Sequence, residues 1–148
     1  MRATLGLPGL PPVSQIGYTL LMTSQALKEL SWIASSQGDL RAFPDDVKDV
    51  MGFALYEAQH GAKHPAARPL AGFKGAGVLE IVDDYDGDTY RVMYTVRLGD
   101  SVYVLHAFQK KSKKGAETPK HEMDLIRGRL AQAERAHADR EKQKGKSR

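Results

Sequence analysis

The run GVLEIVDDYDGDTYRVMYTVRLGDSVYVLHAFQKKSKKG, from Gly77 to Gly115, constrains the fold of this chain more than any other stretch. Three segments in it alternate apolar and polar residues with period two, at Gly77–Asp83, Asp88–Arg97 and Ser101–Gln109. Asp86-Gly87 and Gly99-Asp100 separate them, and both residue types accept the positive φ that two-residue hairpins need. The segments predict an antiparallel meander. Its last strand runs into Lys110, Lys111, Lys113 and Lys114, so the sheet carries a cationic rim suited to a polyanion.

Charge is unevenly divided along the 148 residues. Lys110 to Arg148 hold 13 Lys/Arg against 6 Asp/Glu, whereas the preceding residues hold 9 against 12. Basic charge concentrated in the last quarter attracts phosphate backbone, although a solvated basic tail has the same composition. There is no cysteine, which excludes disulfides, thiolate nucleophiles and thiolate metal sites and suits a cytoplasmic protein. Pro and Gly interrupt every apolar run of the first 21 residues, so neither a signal core nor a membrane span fits them. Residues 1–22 read as a disordered extension, or residues 1–21 as sequence upstream of a start at Met22. Residues 23–133 read as the folded domain and 134–148 as a charged tail that frays into solvent.

Between these limits the signals are mostly helical. Pro44 opens a helix with Asp45 and Asp46 at its positive end; Val47, Val50, Met51, Ala54, Leu55 and Ala58 form one stripe, and Gly61 stops it. Asp39–Phe43 reads as a short helical turn, and Lys28–Ser35 fits a helix face and a strand equally well. His64–Gly77, with two Pro and three Gly, reads as a loop that brings Arg68 and Lys74 to the start of the meander. Thr118-Pro119 starts a last helix whose stripe is Met123, Ile126, Leu130 and Ala133.

Few residues suggest chemistry. The five histidines form no metal-ligand spacing, and no Walker loop or serine elbow is present, so no metal or cofactor is expected. His106 sits in an apolar strand, where alternation puts it on the face of Val104 and Phe108. It is either a core histidine satisfied by a partner or a general acid or base. Arg91 lies inside the central strand and must meet a carboxylate, with Glu80 on the neighbouring strand the obvious choice, or hold a phosphate in its planar fork. Tyr94, like Tyr90 and Tyr103, either packs or stacks on bases. Together these groups suit metal-independent cleavage of RNA, which needs a base for the 2′-OH, an acid for the 5′-oxygen and cations around phosphorus.

The order of helix, Pro/Gly loop, GVLEI, DGDTYRVMYTV, VYVLHAFQKKSKKG and TP followed by a helix resembles the HigB-like, phage-derived host-killing toxins of the RelE/ParE superfamily. The resemblance runs from about Leu30 to Leu130. It implies an α+β fold in which a small antiparallel sheet, opened by a strand at Lys28–Ala34, has the N-terminal helices on one face and a C-terminal helix. It also implies a cytoplasmic type II toxin that cleaves mRNA, generally on the ribosome, and a neutralising antitoxin, often a HigA-like helix-turn-helix protein. By position Arg91 matches the phosphate-binding arginine, and Lys110 and Lys111 match the basic pair after the last strand. The basic positions of the first meander strand are here Glu80 and Val82. Catalysis would then draw on Arg91, His106, Lys110 and Lys111, and RNA contact on Arg68, Lys74, Tyr94, Lys113 and Lys114. The superfamily also contains ParE-type gyrase inhibitors that cut no RNA, and a nucleic-acid-binding module without killing activity is a third reading.

Overall fold

The computed structural model describes residues 27–73, 75–110 and 118–146. In chain order the elements are β1 (Glu29–Trp32), α1 (Ser36–Arg41), α2 (Asp45–Gln59), β2 (Ala67–Pro69), β3 (Val78–Tyr85), β4 (Asp88–Leu98), β5 (Ser101–Lys110) and α3 (Lys120–Lys146). The meander forms where the alternation predicts it. Asp86 (φ 49°) and Gly87 (φ 85°) both take the left-handed conformation that closes the β3–β4 hairpin.

The five strands lie in the order β1–β5–β4–β3–β2. Every pairing is antiparallel except that of β1, which runs parallel to β5 with Glu29 opposite Ser101 and Trp32 opposite Val104. The sheet is therefore mixed, and the expected His64–Gly77 loop contains the short strand β2.

Both faces of the sheet are covered. On one, Leu40, Phe43, Val47, Met51, Ala54, Leu55 and Ala58 of the α1–α2 region pack against Ile81, Tyr90, Val92, Tyr94, Val102, Val104 and Ala107. On the other, Ile126 and Ala133 of α3, flanked by Met123, Leu130 and Ala136, meet Leu70, Phe73, Val78, Met93, Tyr103, Leu105 and Phe108. The last helix thus closes the face opposite the N-terminal helices.

A bulge in β5 sets which residues α3 meets. Met93 pairs with His106 but Tyr94 pairs with Val104, so Leu105 is the extra residue. Beyond it the alternation changes phase. Val104 faces α1 and α2, while His106 shares the α3 face with Phe108, its ring stacked 5.1 Å away. The placement of His106 beside Val104, expected from unbroken alternation, is corrected accordingly.

The expected fraying after Ala133 is also corrected, because α3 continues to Lys146. Arg140 holds its second half to the sheet edge, bonding Glu29 at 2.7 Å, Ser101 Oγ at 3.0 Å and Ser31 Oγ at 3.2 Å. His137 packs on the turn at Gly99, where a Cβ would come within 2.6 Å of its ring. No helix among the described residues is long and apolar enough to cross a membrane. Ile126 is fully buried between α3 and the sheet, so Ile126→Ala should cost about 2–5 kcal/mol in urea unfolding. A loss under about 0.5 kcal/mol, the range of a surface change, would mean that α3 is not docked on this face.

Candidate functional site

Strand register puts Arg68, Arg91 and Lys110 on the α3 face of the sheet. Arg91 pairs with Val82 on one side and Phe108 on the other, and Lys110, two residues beyond Phe108, pairs with Thr89. Glu80 pairs with Met93 and with Arg68 of β2. Period-two alternation then puts Arg68, Glu80, Arg91 and Lys110 on one surface with His106.

At its centre a carboxylate lies between two guanidinium groups. Arg91 Nη1 bonds Glu80 Oε2 at 3.4 Å and Thr118 Oγ1 at 3.2 Å, and Arg68 Nε bonds Glu80 Oε1 at 2.8 Å. The Arg91 and Glu80 side chains are 4% and 6% exposed, whereas that of Arg68 is 55% exposed. Of the two partners open to Arg91 in the sequence, the structure supplies Glu80. A buried guanidinium without a carboxylate would be costly, and the pair meets that need. The second guanidinium, half in water, gives the cluster a net positive charge.

Glu80 and Thr118, which hold Arg91, both line a cleft of about 440 Å³ whose other walls are Arg68, Pro69, Leu70, Ala71, Gly72 and Met123. The cleft opens between the loop after β2 and the start of α3. Gly72 (φ 91°) brings the loop against Met123, where a Cβ would sit 2.8 Å from the methionine methyl group. An incoming anion would meet Arg68 first.

His106 sits deeper, beneath the first turns of α3. Its Nε2 is 2.9 Å from Glu122 Oε1 and its Nδ1 is 3.0 Å from Arg129 Nη1. Arginine has only protons to give, so Nδ1 accepts and the ring proton sits on Nε2, donated to Glu122. Burial pushes the imidazole below its ordinary value, against the opposing pull of Glu122, and the neutral form prevails at neutral pH. Arg129 also bonds Leu105 O at 3.1 Å, at the bulge, and Ser35 Oγ at 3.0 Å; Ser35 bonds Asp39 at 2.8 Å. One guanidinium therefore joins α3, the bulge and the start of α1.

Tyr94 does not belong to this site. It lies on the opposite face under α2, fully buried, with its hydroxyl pushed up to about 12 by burial and the charge of Glu57. It packs the core and offers no base-stacking surface. Lys74, Lys111, Lys113 and Lys114 lie outside the described residues. Among the described residues no group of His, Asp or Glu is placed to hold a metal ion.

Residues 38–131 match the family model described as Phage derived protein Gp49-like (DUF891). The chain belongs to the Gp49-like family. That family is known among the toxins of toxin–antitoxin systems in the RelE/HigB-like superfamily. No curated protein and no solved structure matches the chain. In this Gp49-like protein the matched span includes all of Arg68, Glu80, Arg91, His106, Lys110, Thr118, Glu122 and Arg129.

Sequence reasoning gave no role to Glu122 or Arg129, and took Thr118 only as a helix cap. Glu122 had a detectable signal, since it lies in the first turn of a helix that must cross a histidine-bearing strand. Arg129 had none, because its contact depends on the bulge.

The state of His106 predicts a pH dependence. Its folded value lies below the ordinary 6.5, so below about that pH the unfolded chain binds more protons than the folded one. Stability should be complete above pH 6.5 and fall as pH drops through the unfolded value towards the depressed folded one. Urea midpoints of wild type and His106→Gln, compared from pH 5 to 8, should diverge at high pH and converge at low pH. Parallel curves would contradict the assignment.

Proposed function

We propose that this Gp49-like protein is a toxin that inhibits translation by cutting mRNA, with a ribosome-bound transcript as substrate and a neutralising antitoxin as partner. The observation that carries this reading is the Arg68–Glu80–Arg91 cluster at the mouth of a cleft, with Lys110 on the same face. A phosphodiester entering there takes hydrogen bonds from Arg68 and displaces Glu80 from it by competition for the guanidinium. Arg91, fixed by Thr118, completes the grip on the non-bridging oxygens.

The reaction then requires only protein side chains. Glu80 takes the proton of the 2′-hydroxyl, O2′ attacks phosphorus, and the 5′-oxygen leaves with a proton from Lys110. The products are a 2′,3′-cyclic phosphate and a 5′-hydroxyl. The guanidinium groups meet the charge that builds on phosphorus in the transition state. His106, with both ring nitrogens engaged, is a positioning residue in this scheme. It holds Glu122, and with it the start of α3, over the cleft.

Primer extension on transcripts after a short pulse of expression tests the reading. Discrete new 5′ ends inside codons are expected from wild type. Glu80→Gln should lower cleavage by about 10²–10⁴-fold, as for loss of a general base, and Arg68→Ala by at least about tenfold with the melting temperature unchanged. Arg91→Ala should abolish toxicity and also lower the melting temperature, because it strips buried Glu80 of its counter-charge, so Arg68→Ala is the variant that reads the chemistry alone. Intact transcripts with an induced DNA-damage response would overturn the ribonuclease reading in favour of a gyrase inhibitor. Full cleavage by Glu80→Gln would remove that residue from the chemistry.

A further inference from the structure

The outer face of α2 carries two large aromatic side chains in water. Phe53 is 58% exposed and Tyr56 48%, although the same helix buries Val47, Met51, Ala54, Leu55 and Ala58 on its inner side. Both rings are held edge-on by histidines, Phe53 by His64 at 6.0 Å between centroids and Tyr56 by His60 at 4.4 Å. They form a supported patch rather than two mobile side chains. Clustered exposed aromatics on an ordered helix are characteristic of protein-binding surfaces.

Exposed carboxylates outnumber cations on the N-terminal side of the patch. Asp46 and Asp49, both exposed, precede Phe53 on the same face at helical spacing, and Asp45 lies beside them. Lys48 is the one cation in this part of the helix, and it is paired with Asp45 at 3.1 Å. Gly52 borders the patch in mid-helix, where a Cβ would meet nothing within 4 Å. A glycine there costs about 0.5–1 kcal/mol relative to alanine, and nothing in the fold requires it. A neighbour approaching the helix closely would.

We infer that the Asp46–Asp49–Phe53–Tyr56 face of α2 is the docking surface for a second polypeptide that presents a helix with basic and aliphatic residues. Charge complementarity selects this occupant over the others available. Residues 1–26 of the chain contain one charge, Arg2, and would leave the carboxylates unanswered. A second copy meeting the same face would set carboxylate against carboxylate. The exposed end of α3, Glu141–Lys146, is basic but contains no aliphatic side chain to cover two rings. The surface lies on the opposite side of the sheet from the Arg68–Glu80–Arg91 cleft, so the inference stands independently of the proposed chemistry.

Selection from a random helical peptide library, displayed on yeast and panned against the full-length chain, tests it. Enriched peptides should combine Lys or Arg with Leu, Ile, Met or Trp at i, i+3, i+4 and i+7 spacing. Their Kd should rise at least tenfold with Phe53→Ser, and again with Asp46→Lys plus Asp49→Lys, at unchanged melting temperature. Absence of binders, neutral or acidic consensus peptides, or affinities indifferent to these substitutions would overturn the inference. So would binding that appears only after removal of residues 1–26, or a dimer in sedimentation that Phe53→Ser dissolves.

Discussion

A guanidinium enclosed in the middle of a sheet needs a counter-charge, and much of this structure follows from how Arg91 obtains one. Glu80 supplies it from β3, Thr118 adds a hydroxyl from the approach to α3, and Arg68 balances the second carboxylate oxygen from β2. Three strands are joined through one carboxylate, and the approach to α3 through the guanidinium it holds. Removing a single member of such a buried pair is strongly destabilising, because the partner charge remains without compensation. In the proposed chemistry a phosphate replaces Glu80 as partner of the half-exposed Arg68. Structure and proposed chemistry thus use the same atoms.

The bulge at Leu105 is the second constraint. It leaves a carbonyl at the α3 face and turns both Leu105 and His106 towards the helix. Arg129 takes that carbonyl and the histidine nitrogen together, while Glu122 takes the other nitrogen. The first turns of α3 are therefore fixed by hydrogen bonds, and its middle by Ile126 and Ala133. Its far end is fixed by Arg140 on Glu29. A helix whose sequence is mostly charged stays on the sheet because it is pinned at three heights.

What was legible in the sequence was what depends on local pattern. Asp86-Gly87 marked a hairpin, the stripe from Val47 to Ala58 marked α2, and Glu80 was one of two partners open to Arg91. What was not legible depends on register and on distant contacts. Alternation cannot reveal an inserted residue, so His106 was placed with Val104. Nothing near β1 announces a parallel partner at the start of β5, and local pattern left that segment open between helix and strand until the family resemblance favoured a strand. The length of α3 was missed because a stripe search ends at Ala133, while Arg140 is held by a carboxylate more than a hundred positions earlier. Tyr94 sat in a strand rich in candidates, and only the layer of helices shows that it faces the core. Of the candidate site, Arg91 and Glu80 were readable as a cross-strand pair, whereas Arg68, read as a loop residue, joins them only through the register of β2. The second guanidinium on that carboxylate and the roles of Glu122 and Arg129 were not legible.

The central claim is that one phosphodiester is gripped by Arg68 and Arg91 while its own 2′-hydroxyl, activated by Glu80, breaks the chain. The most direct measurement uses ribosomes programmed with an mRNA in which a single nucleotide, the one 5′ to a mapped cut, lacks its 2′-hydroxyl. The account predicts that this cut disappears while others persist, and that normal products end in a 2′,3′-cyclic phosphate. Cleavage of the deoxy-substituted bond at an undiminished rate would contradict it.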